Sequence, residues 1–163
     1  NTVVVPVKVG AQGTFRFEAR NGANGQQLWS VGSDYIVPPH NWFPSFNVTL
    51  TANGRVYAPG SGGKVIYRDN VDSAAAALPQ TAVFYGNDVY TAARAELDAA
   101  VMISTPITAD ANGNVYFGFY VGAANSVGLS SGVARLSASG AGTWAAASTL
   151  ASDANIDLSL IHI

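Results

Sequence analysis

The sequence contains no cysteine. That excludes a disulfide framework, a thiolate metal site and a cysteine nucleophile within this stretch. Charge is nearly as scarce. Charged residues make up 11% of the 163, against about a quarter in an ordinary soluble domain. Lys and Arg number 8 against 10 Asp and Glu, a formal net charge of -2, which excludes a basic nucleic-acid binder and a polyacidic disordered tail. With 2 histidines there is no His-rich metal centre. No run approaches the ~18 apolar residues of a membrane span. The chain begins Asn1-Thr2-Val3, with no initiator methionine and no basic region of a signal peptide. What is present is a hydrophobic content of 48%, in a length that suits one domain.

The pattern along the chain reads all-β, with strand signals separated by turn signals. Val3, Val5, Val7 and Val9 alternate with other residues. Phe15, Phe17 and Ala19 alternate with Arg16, Glu18 and Arg20, one face apolar and one charged, as in a half-buried strand. Phe46, Val48 and Leu50 alternate with Asn47, Thr49 and Thr51; Asn53-Gly54 then supplies a tight hairpin turn and Arg55 to Ala58 return. Ile107 to Asp110, Asn112-Gly113 and Val115 to Phe119 repeat that arrangement. Further strand candidates are Lys64 to Arg68, Val83 to Tyr85, Val101 to Ile103 and Gly132 to Leu136. Ser73 to Leu78 and Thr91 to Ala100 are alanine-rich and read as loops or short helices within an insertion, with Arg94 and Asp98 spaced as an i,i+4 pair.

An internal repeat is the strongest signal. Residues 19–29 and 134–144 both carry Ala first, Gly seventh and Trp eleventh: Ala19, Gly25, Trp29 and Ala134, Gly140, Trp144. This resembles the tryptophan-docking motif of quinoprotein-like (pyrroloquinoline quinone-type) β-propeller repeats, Ala-x-Asp-x-x-Thr-Gly-x-x-x-Trp. Asn21 and Leu136 stand for the Asp, and Asn24 and Ser139 for the Thr. A degenerate third copy starts at Tyr67, with Asp69 in the Asp position, Ser73 in the Gly position and Ala77 in place of the tryptophan. The resemblance implies that the motif closes the last two strands of a blade. The glycine permits φ > 0, the alanine leaves room for a neighbour, and the indole is buried between blades. The expected fold is therefore a partial β-propeller of about two and a half to three four-stranded antiparallel blades. It forms one domain over residues 1–157: 1–30 the end of a blade, 35–95 a second and 100–150 a third. A ring of four to eight blades is the usual closed form, so a truncated fragment is expected. Consistently, Leu158 to Ile163 resembles a translated sequencing adapter, making residues 158–163 a non-native tail and His162 an artefact. The competing reading is an unrelated β-sandwich with two chance Gly-x-x-x-Trp turns.

Chemistry is nearly silent. Quinoprotein alcohol dehydrogenases, which share this repeat, place a cysteine pair, a calcium ion and a catalytic aspartate around the quinone. No cysteine pair exists here, so no catalytic, cofactor-binding or metal-ligating residue is assigned. Pyrroloquinoline quinone and calcium enter only under the alternative that catalytic blades lie outside this stretch. Tyr35 to Pro44 packs three prolines, three aromatics and His40 into ten residues. Tyr35, His40, Trp42 and Phe43 read either as a ligand loop that stacks on a sugar, quinone or peptide, or as a proline-stiffened entry into the next blade, the latter being favoured. Asp110 to Asn114 has the oxygens of a calcium loop but is better explained as a hairpin turn. Gly60 to Lys64 lacks the spacing of a phosphate loop. Asn47-Val48-Thr49 is a glycosylation sequon.

The expected function is a non-catalytic propeller used as a binding or scaffold surface. The alternatives are a quinone-dependent dehydrogenase fragment and a carbohydrate-binding or carbohydrate-active propeller. The expected partner is a protein or glycan rather than nucleic acid, and the resemblance, with the lysine-poor composition, suggests export to the periplasm or cell exterior.

Overall fold

A computed structural model describes residues 1–10, 14–37, 46–75 and 78–156. Among the described residues twelve strands form three antiparallel sheets. The first sheet is β1 (Thr2–Val9), β2 (Thr14–Asn21) and β3 (Gln27–Ser33) in sequential order. The second is β4 (Thr49–Leu50), β5 (Val56–Pro59), β6 (Lys64–Arg68) and β7 (Gln80–Val83), again sequential. The third contains β8 (Val101–Ile103), β9 (Thr108–Ala109), β10 (Val115–Val121), β11 (Gly132–Leu136) and β12 (Gly142–Ala146), with β12-β11-β10-β8 hydrogen-bonded in that order and β9 also on β10. Helices α1 (Asn87–Ala92) and α2 (Arg94–Ala100) lie between the second and third sheets, and α3 (Ala147–Ala151) follows β12.

The second sheet is the centre of the stack. Val56, Ala58 and Ile66 on one of its faces pack with Phe17, Ala19, Trp29 and Val31 of the first sheet. Tyr57 and Val65 belong to the other core, with Ile103, Val115, Phe117, Phe119, Ala134 and Leu136 of the third. Every residue of β5 is therefore buried, the mark of a strand covered on both faces. Leu97 and Ala100 of α2 seal the second core at one end. Asn47 joins the two later sheets: its Nδ2 donates to Ile107 O at 3.3 Å and its Oδ1 accepts from Ile107 N at 2.9 Å.

Several strand expectations meet the structure in register, among them Lys64–Arg68, Val101–Ile103 and Gly132–Leu136. One is corrected, and the two alanine-rich segments divide between the short helix and the loop expected of them. The strand expected at Val83 to Tyr85 ends at Val83, because Phe84 and Tyr85 turn into Gly86, whose φ of 109° only glycine adopts readily. Thr91 to Ala100 is helical except for Ala93, where Arg94 and Asp98 do pair at 3.4 Å. The described part of Ser73 to Leu78 is not helical.

The charged face of β2 also differs from a solvated one. Val3, Val5 and Val7 stand opposite Arg20, Glu18 and Arg16, so the valine stripe shares a face with the charges. Glu18 is 0% exposed. Arg16 Nε and Arg20 Nη2 each bind one of its carboxylate oxygens, and their stems cover it from water.

The third sheet comes close to the segment after β7 at Gly142. A Cβ there would lie 2.1 Å from the carbonyl oxygen of Phe84, so no side chain fits without moving β12. Gly142→Ala is expected to destabilise the fold by about 1–3 kcal/mol, the cost of overpacking a filled contact. Chemical denaturation of the variant checks this, and an unchanged midpoint would contradict the close approach.

Candidate functional site

Two places combine polar chemistry with defined geometry. The first surrounds the Trp29 motif. Ala19 pairs directly with Trp29, and Ala134 with Trp144, so both motifs close the last two strands of a sheet. Gly25 and Gly140 take φ of 74° and 89° in the two turns, a conformation that costs other residues about 1 kcal/mol or more. Trp29 is buried and reaches the second sheet, where its Nε1–H donates to Val71 O at 2.8 Å. The Arg68 guanidinium lies over the indole, 4.4 Å from the ring centroid. Arg68 is 2% exposed and donates to the carbonyls of Asp69, Asn70, Ser73 and Ala75 at 2.8–3.3 Å. Burial alone lowers its pKa from the usual arginine value.

Trp144 is placed differently. It is 38% exposed, stands edge-on to Phe119 of its own sheet at 5.9 Å, and borders a groove beside Phe84 and Tyr85 at the end of the second sheet. Both tryptophans thus turn toward the second sheet, one from each side. In the third copy, Tyr67 pairs with Gln80, so the closing turn is longer than the motif spacing places it. Ala77 lies outside the described residues.

The second place is a polar cluster that the sequence reading did not assemble. Lys64 is buried, and its Nζ donates to Asp34 Oδ2, to Ser61 Oγ at 3.1 Å and to Tyr90 OH at 3.0 Å. Tyr90 OH donates to Asp98 Oδ1 at 2.7 Å. The single Ser61 hydroxyl proton has Asp34 Oδ2 at 3.0 Å and Asp98 Oδ1 at 2.9 Å within reach. The cluster thereby ties the segment after β3, the 3-10 turn Ser61–Gly63 and both helices together. Helix α2 comes close because Gly62 has no side chain: a Cβ there would lie 2.7 Å from Asp98 Oδ1 and from the Tyr90 ring. Only Ser61 and Lys64, three residues apart, were close enough in sequence to be seen together. Asp34, Tyr90 and Asp98 arrive from distant segments.

A serine beside a lysine is a nucleophile and base only if the amine is neutral. Burial opposes the charge on Lys64, but the hydrogen bonds it donates to Asp34 and Tyr90 outweigh it and raise its pKa. Burial likewise pushes the Asp34 carboxyl up, and the bonds from Lys64 and Ser61 outweigh it and hold it below the usual range. The cluster is an ammonium–carboxylate clamp, and Ser61 is buried beneath it. The Lys64 ammonium is engaged, in keeping with the absence of a phosphate-loop spacing.

The remaining candidates are accounted for as follows. Tyr35 lies in the core, its OH donating to Ile103 O at 2.8 Å and its ring packed on Phe15 and Phe46. His40, Trp42 and Phe43 lie outside the described residues, as does 158–163. Asp110 accepts from Asn112 N, Asn114 N, Asn114 Nδ2 and Tyr116 OH, so its oxygens serve the hairpin turn. Among the described residues no group of three or more His, Cys, Asp or Glu could hold a metal ion, and no helix is long and apolar enough to cross a membrane.

Comparison with known proteins finds no matching family model, no matching curated protein and no matching solved structure.

The buried charges set an acid limb. The hydrogen bond from Arg16 lowers the pKa of Glu18 most, burial opposes it, and Arg20 adds to the lowering. A carboxylate depressed in the folded state contributes stability above its unfolded value, 4.5 for Glu18 and 3.8 for Asp34. That stability disappears as pH falls through the lower folded value. The Lys64 contribution has the opposite sign and is lost as pH rises through its folded value above 10.5. Denaturation midpoints of the wild type and Glu18→Gln measured from about pH 2 to 7 should show a shallower acid limb in the variant. Parallel limbs would remove Glu18 from this account.

Proposed function

We propose that this chain is a stretch of quinoprotein-like β-propeller whose role is a non-catalytic binding or scaffold surface. The supporting observation is Trp29. The motif indole lies between two sheets with its N–H on the backbone of the following one, which is how a repeated sheet unit couples to its neighbour. Three sequential antiparallel sheets support it; the Ala134–Trp144 pair repeats the motif on its hairpin but turns back toward the second sheet. The Ser61–Lys64 cluster also supports a non-catalytic reading, since its lysine is held charged and its serine is buried. The surface offered to a partner includes the outer face of the third sheet, where Thr105, Pro106, Tyr116 and Val133 line an apolar depression, and the valine face of the first.

Two measurements test the reading. Trp29→Ala should cost about 3–5 kcal/mol, as for a buried large aromatic, whereas Trp144→Ala should cost under about 1 kcal/mol because its ring is already partly in water. Equal costs would sever the link between motif and sheet docking. Sedimentation velocity of the chain should show concentration-dependent association through the bare outer faces. A monomer at every concentration, melting cooperatively, would overturn the open-stack picture.

A further inference from the structure

The two motif tryptophans differ in what their indoles have left to offer. The Trp29 N–H is taken by Val71 O. No hydrogen-bond partner of Trp144 Nε1 exists among the described residues, and the ring is 38% exposed. Phe119 packs edge-on to it at 81°. The groove that Trp144 borders has a volume of about 500 Å³, within the range of small-ligand sites. Phe84, Tyr85, Gly86, Asn87 and the Gly140–Gly142 turn form its other walls.

Three properties restrict what this groove accepts. No lining side chain carries a formal charge, so nothing there compensates an anionic or cationic ligand for its lost hydration. The Tyr85 hydroxyl donates to Gly62 O, and burial, then the charges of Tyr90 and Asp98, raise its pKa, so Tyr85 presents only a neutral ring. Asn87 is oriented by its own helix start: its Oδ1 accepts from Val83 N at 3.0 Å, leaving the amide NH₂ as a donor beside the aromatic wall. An exposed indole with an unengaged N–H, an oriented amide and no charge match a neutral pyranose. The C–H face of one sugar stacks on the ring and its hydroxyls accept from the Asn87 amide, while a hydroxyl of the adjoining sugar accepts from the in-plane indole N–H.

We infer that the groove between Trp144 and Phe84–Asn87 is a binding site for a neutral oligosaccharide. This site is distinct from the Tyr35 to Phe43 segment. Its rival occupant is an extended peptide strand added to β12, the edge of the third sheet.

The test is titration of the full chain with neutral hexasaccharides of β-1,4-glucose, β-1,3-glucose, α-1,4-glucose, β-1,4-mannose and β-1,4-xylose. Calorimetry and the indole N–H resonances, with Trp144 assigned by Trp144→Phe, provide the readouts. At least one sugar should bind with a dissociation constant of about 1 mM or tighter and shift the Trp144 resonance. Trp144→Ala should weaken binding about ten-fold or more, and Asn87→Ala several-fold, with both variants retaining the wild-type amide spectrum. If a variant fails to fold, the shift of the Trp144 resonance in the wild type carries the decision. Absence of binding by every sugar at about 10 mM, or binding that leaves the Trp144 resonance unmoved, overturns the proposal. A Trp144 resonance that shifts with protein concentration alone, and not with sugar, assigns the groove to a strand of a second copy and overturns it equally.

Discussion

The stack depends on one interlock, in which Arg68 holds the loop that Trp29 docks on. The guanidinium gathers four backbone carbonyls of residues 69–75. Together with the backbone bond from Ser73 N to Asn70 O at 2.9 Å, these contacts fix the course of the turn. The loop so fixed presents Val71 O to the Trp29 N–H, and the same guanidinium covers the indole face. A desolvated cation–π contact contributes about 2 kcal/mol, and a hydrogen bond from a charged donor about 1.5–3 kcal/mol. These terms are not additive, because they share one side chain. Lysine cannot replace it, having neither the planar fork nor the reach to several carbonyls.

Charge, though scarce, is concentrated where segments meet. Arg68 joins the first and second sheets. Lys64 with Asp34 and Asp98 joins the segment after β3, the second sheet and the helices. Arg55 pairs with Asp69 at 2.6 Å and donates to Ala138 O at 3.1 Å, linking the second sheet to the β11–β12 turn. Lys64 and Arg55 are satisfied mainly by oxygens from sequence-distant segments, whereas Arg68 takes carbonyls of the loop that follows it and reaches the first sheet through the Trp29 indole. A buried charge that loses its partners is costly, so these contacts penalise other arrangements of the sheets. The Lys64 clamp shows why a serine–lysine pair alone does not imply chemistry: its carboxylate neighbour keeps the amine protonated.

The period-2 patterns of β2 and β10 and the Asn-Gly turns made the hairpins legible, because strand alternation and φ > 0 are local properties. The paired Ala and Trp of each motif were legible for the same reason: both lie on one hairpin. The polar cluster was not, since Asp34, Lys64, Tyr90 and Asp98 share no local pattern. The early end of β7 was missed because Phe84 and Tyr85 suit a strand, and only their packing against the third sheet and Gly62 bends them away.

The sequence by itself determined the absence of thiol chemistry, the antiparallel hairpins and the position of the tryptophans on their closing strands. The tertiary structure decided what each tryptophan does. Identical local motifs place Trp29 and Trp144 opposite an alanine, yet one indole is buried against Arg68 and Val71 while the other remains open beside Phe84 and Asn87. Glu18 is buried on the outer face by its own strand neighbours Arg16 and Arg20, a closure that alternation alone does not show. Local periodicity fixes which side chains share a face; only the packing of one sheet on another determines whether that face meets protein or solvent.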